Sequence, residues 1–122
     1  MHPTLTKTFE ATTAIGPNLF VAAHADRRKA RLATAAADPI FGISDLGADL
    51  GGQCDVHLTG AVPVKAGGAI AAGAPVTSDA NGRAVTAVAG VGAIRVAGFA
   101  LEPAVDGDLF MLHLAPSILP AA

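Results

Sequence analysis

Apolar and polar positions alternate along this chain in short bursts, separated by Gly, Pro, Asp and Asn. The clearest burst is "QCDVHLTGAVPV" at 53–64, with Cys54, Val56 and Leu58 on one face and Asp55, His57 and Thr59 on the other. A period of two marks a half-buried strand. "LFVAAHA" at 19–25 and "ARLATAA" at 30–36 flank Asp26-Arg27-Arg28-Lys29 and predict a hairpin with a basic tip. "DPIFGISD" at 38–45 predicts a turn and then a short strand that is weak or bulged at Gly42. Residues 46–52 read as a loop. "APVTSD" and "RAVTAVA" enclose "DANG", so Asp79, Asn81 and Gly82 are expected to form a hairpin turn with Gly82 at positive φ. A further strand is expected over 93–102 and a turn over 103–108. "LFMLHLA" at 109–115 is almost continuously apolar and predicts a strand buried on both faces.

Seven or eight short strands at such turn spacings predict a mainly β chain, a small barrel or sandwich. Alanine favours helices, so "VAAHADRRKARLATAAAD" at 21–38 also admits a helix. Ahead of the strands, Thr4, Thr6 and Thr8 alternate with Leu5, Lys7 and Phe9, a pattern for extended chain. Its terminal place, bounded by Pro3 and Gly16-Pro17, predicts a mobile arm whose removal leaves the fold intact. The expected layout is an arm at 1–17, a β domain at 18–115 and a tail at 116–122.

Composition narrows the function classes. The 122 residues suffice for one domain, and the net charge of −2 argues against a dedicated nucleic-acid binder. Hydrophobic residues make up 52% of the chain, but alanine inflates that share; there is no Trp or Tyr and only five Phe. A large apolar side chain contributes about 1.5–3 kcal/mol on full burial and alanine much less. The core is thus short of large residues, and association with copies of itself or with a larger surface would help it. The single cysteine, Cys54, closes no intrachain disulfide. No secretory leader or run of 18 apolar residues is visible, which sets cytoplasmic synthesis and no membrane as the expectation.

Candidate chemistry changes this picture little. "GGAIAAGAP" has Ala-Pro where a phosphate loop requires Lys and a hydroxyl. Cys54 and His57 form a C-x-x-H, but on a strand they face opposite ways, and His2, His24 and His113 complete no zinc spacing. Ser44-Asp45 and Ser78-Asp79 lack a nucleophile elbow and suit turn capping. Arg27, Arg28, Lys29 and Arg31 carry no interleaved aromatics; they read as a solvated tip, or else as a contact for an acidic protein surface. No catalytic residue, metal ligand or cofactor site is nominated.

"VPVKAGGAIAAGAPVTSDANGRAV" followed by "VAGFALEPAVDGDLFMLHLAPS" resembles the capsid decoration (cement) proteins of tailed bacteriophages. The matching positions are Gly67, Ile70, Gly73, Val76, Asp79, Gly82 to Val85, Gly98, Ala100 to Glu102, Ala104 and Gly107 to Leu109. The likeness is good over 60–115 and looser over 18–59. It implies a β-clip or β-tulip domain with an extended N-terminal arm, assembled as homotrimers on the outside of a phage head. The implied partner is the major capsid protein, with no direct nucleic-acid contact. The implied location is the virion exterior, after synthesis in the bacterial host. By position, Thr4, Leu5, Thr6, Lys7, Thr8 and Phe9 would meet the shell by strand addition, with Leu5 and Phe9 as anchors. The alternatives are a non-catalytic β-clip module that binds a ligand or accompanies an enzyme, and another minor virion component. A sugar site usually offers aromatic faces, and Trp and Tyr are absent here.

Overall fold

The computed structural model describes residues 5–88 and 94–119, and every regular element among them is a strand. Strands β1 (Thr6–Ala11), β2 (Phe20–Ala23), β3 (Lys29–Leu32), β4 (Ile40–Ser44) and β5 (Gln53–His57) close into a barrel in the order β1-β3-β2-β4-β5. Strands β6 (Gly60–Lys65), β7 (Pro75–Ser78), β8 (Ala84–Thr86), β9 (Ile94–Ala100) and β10 (Leu109–Leu119) form a second sheet in the order β6-β10-β9-β7-β8. The expected small barrel-like β fold is therefore what the chain adopts, and the helical reading of 21–38 gives way to the β2–β3 hairpin.

Three expectations need correction. First, residues 6–11 are a barrel strand. β1 pairs antiparallel with β5, from Thr6 opposite His57 to Glu10 opposite Gln53, and parallel with β3 through Glu10–Lys29 and Ala11–Ala30. One edge is paired with β5 along Thr6–Glu10, the other meets β3 only at Glu10 and Ala11, and Phe9 and Ala11 are buried, so this segment is built into the barrel. Thr4 lies outside the described residues. Second, the alternating stretch 53–64 is two strands: Gly60, at φ 98°, follows a break at Leu58-Thr59 and leads the chain from the barrel into the second sheet. Third, β10 buries one face only: Phe110, Leu112 and Leu114 point inward, while Leu109 and His113 are exposed. It also runs on through the expected tail as far as Leu119, after a bulge between Leu114 and Ser117 that accommodates Pro116.

Two cores result. Phe9, Ala11, Ile15, Val21, Ala30, Cys54 and Val56 fill the barrel. Phe20, Ala22, Ile43, Val62, Val64, Phe110 and Leu112 belong to the cluster in which barrel strands pack on the second sheet. β2 serves both, with Val21 in one cluster and Phe20 and Ala22 in the other, which accounts for its unbroken apolar run. A bulge at Phe41 shifts the β2–β4 register from Val21–Gly42 to Ala22–Ile40. At Gly42 a side chain would run into Val56 and the His57 carbonyl. The buried alanines let strands approach where larger side chains would separate them.

Candidate functional site

The "DANG" segment is a hairpin turn joining β7 to β8. Asp79 Oδ1 accepts hydrogen bonds from the backbone N–H of Asn81 (2.8 Å) and of Arg83 (2.9 Å), and Gly82 has φ 77°. This corner is docked on the barrel: the Phe20 N–H donates to the Gly82 carbonyl at 2.8 Å, and a Cβ on Gly82 would meet Leu32 Cδ1 at 2.5 Å. The turn is thus a joint between the two sheets.

The serines beside aspartates are structural as well. Ser44 is fully buried; its hydroxyl donates to the Gly16 carbonyl (2.7 Å) and accepts from the Leu19 N–H (3.1 Å). Ser78 donates to the Asp79 carbonyl at 2.9 Å. Cys54 is buried in the barrel, and burial, then the Asp55 and Asp45 carboxylates, push its thiol pKa up, which disfavours the reactive thiolate. His57 meets Thr6 Oγ1 through Nδ1 at 3.0 Å and Asp45 through Nε2 at 3.8 Å. Among the described residues no three His, Cys, Asp or Glu side chains gather as a metal site, and no helix is long and apolar enough to cross a membrane.

The segment named as shell-contacting divides along its length. Leu5, Thr6, Lys7 and Thr8 are exposed, whereas Phe9 packs edge-to-face on Phe41 with ring centroids 5.1 Å apart. Phe9 is thus an anchor of its own barrel.

A feature with no local signature emerges here. Phe9 and Phe41, with Ala23, form the apolar part of a cleft of about 170 Å³ that His24, Arg27 and Lys29 border. Closure of the barrel brings together one residue from β1, the β2–β3 tip and one residue from β4. Lys29 reaches Glu10 at 3.6 Å. Arg31 turns away to Asp38, at 3.1 Å. Burial opposes ionisation of Asp38, but the Thr34 N–H and the Arg31 guanidinium outweigh it and hold the carboxyl below its ordinary pKa. Arg27 and Arg28 have no side-chain partner among the described residues.

The β9–β10 connection carries the opposite character. Val105 and Asp108 close a tight turn, the Val105 N–H donating to Asp108 Oδ2 (3.1 Å) and the Asp108 N–H to the Val105 carbonyl (3.0 Å). Leu101, Val105 and Leu109 are exposed around it, at 55%, 60% and 55%. Glu102 and Asp106 are exposed beside them and have no side-chain partner among the described residues.

Comparison with known proteins gives a family and a solved structure of like fold. A family model described as "phage cement protein" matches residues 1–113. Among solved structures, the N base of the head fiber gp8.5 of bacteriophage phi29 superposes with a TM-score of 0.73. That match covers 93% of this chain and 95% of that one, at 23% sequence identity. At that identity the likeness is one of fold. No curated protein matches the chain.

Proposed function

The chain belongs to the phage cement protein family, and on that footing we propose that it is a structural protein of the phage head that binds the outside of the shell as a trimer and stabilises it. The observation that carries this reading is the family match across residues 1–113, which takes in both sheets up to His113. The site geometry supports it. The polar residues that suggested chemistry are engaged in turns and caps, while the unpaired charges and exposed aliphatics lie on the surface, where a neighbouring protein would meet them. Repeated weak contacts across a lattice, each raised by the effective concentration within a trimer, give firm attachment without any deep ligand site.

For the shell-facing surface, the exposed start of β1 is the proposed contact, through Thr6, Lys7 and Thr8 with Leu5 just before them. These residues would engage the major capsid protein by strand addition along the β1 edge away from β5, which β3 covers only at Glu10 and Ala11. Location on the virion exterior and a role without catalysis follow from the same reading.

The test is quantitative mass spectrometry of purified particles, comparing copies of this chain with copies of the major shell protein. Comparable abundance, together with particles that rupture at lower temperature when the chain is stripped or deleted, is the expected result. A few copies per particle would shift the reading to a minor virion component. Absence from particles would remove it.

A further inference from the structure

We infer that the basic aromatic cleft of the barrel is the socket for the acidic β9–β10 turn of a second copy of this chain, so that copies join head to tail. The inference rests on the trimeric reading and names the two surfaces that would make the trimer. The cleft offers an apolar floor of Phe9, Phe41 and Ala23 beneath Arg27 and Lys29. The turn offers the matching parts: exposed Val105 at its base, with Glu102 and Asp106 exposed near it in the chain.

Size and charge both fit. A cleft of about 170 Å³ is in the range of apolar cavities, about 150 Å³, that accept a benzene-sized group. It therefore has room for one aliphatic side chain. Arg27 in the cleft and Arg28 next to it in the chain have no side-chain partner among the described residues, nor have Glu102 and Asp106, so the pairing satisfies groups left over on both sides. The turn is held in shape by the two Val105–Asp108 hydrogen bonds, so little ordering is required on docking. Its tip stands clear: Gly107, at φ 90°, has nothing within 4 Å of where a Cβ would be.

Socket and plug lie on different sheets of one chain. A contact between two unlike surfaces is heterologous, and such contacts form rings where the rotation closes. Three copies give a closed ring in which every socket is filled.

Sedimentation analysis of the full chain tests this, with the two reversals Arg27→Glu/Arg28→Glu and Glu102→Arg/Asp106→Arg, and with all four changes on one chain. All four positions are exposed, and thermal melts of each variant check that it folds. The wild type is expected to trimerise in solution and to weaken with added salt. Each reversal alone should weaken association by about tenfold or more, and the fourfold variant should recover most of it, because each reversed socket then meets a reversed plug. A monomeric wild type, single reversals that associate like the wild type, or a fourfold variant no better than either reversal would each overturn the contact. Particle occupancy is measured in parallel. A wild-type chain that trimerises by this contact yet is absent from particles sinks the decoration reading alone. One that fills particles while staying monomeric in solution sinks the contact alone.

Discussion

Gly82 meets two demands at one position. Its φ of 77° disfavours any side chain, and Leu32 occupies the space a Cβ would take. Gly82→Val is expected to cost about 2–4 kcal/mol, the left-handed conformation and overpacking together. Gly73 has a similar φ of 83° but open space around it, so Gly73→Ala should cost only about 1 kcal/mol. Urea midpoints of the two variants separate the two causes. Asp38 gives a pH signature. Its native pKa lies below the unfolded value, so its ionised form stabilises the fold above the ordinary aspartate range, and that contribution fades as pH falls through the native value. Asp38→Asn should therefore lose about 1–2 kcal/mol at neutral pH, a hydrogen-bonded charge discounted for partial exposure. Melting curves of variant and wild type should converge as the pH drops below about 4.

At the scale of elements, legibility in the sequence follows the distance to the partner. The β2–β3 and β7–β8 hairpins could be read because each pair encloses its own turn chemistry, Asp26 to Lys29 in one and Asp79 to Gly82 in the other. β1 could not be placed, because its partners are β5 and β3 and no residue near it names them. The division of 53–64 was equally hidden, since alternation continues past the point where Gly60 changes sheet. The cleft shares this invisibility: Phe9 and Phe41 become neighbours only once the barrel closes. Gly98 was visible as part of a family pattern, but its reason is structural, for a Cβ there would strike the His113 carbonyl of β10. The pairing of β1 reverses the expectation for its removal. Deleting residues 5–12 should open the barrel and cost at least about 3 kcal/mol, the loss expected for removing a buried Phe alone. Hydrogen exchange should show β3 and β5 amides losing protection, and unchanged protection would contradict the barrel.

For the whole molecule, β2 ties the two cores into one unit, because Val21 and its neighbours Phe20 and Ala22 pack in opposite directions. Unfolding is therefore expected to be a single transition. Native-state exchange of the Val21 amide in the barrel and of the Leu112 amide in the second sheet should report the same global free energy. Two separated values would mean that the sheets unfold independently. The closure of the barrel also sets a timetable. Thr6 contacts His57, 51 residues further along the chain. At a synthesis rate of about 5–20 residues per second, β1 waits roughly 3–10 s after leaving the ribosome before β5 exists to receive it. During that interval the strand must survive translation with bare edges, and Glu10 and the alternating threonines keep it soluble until its partner arrives.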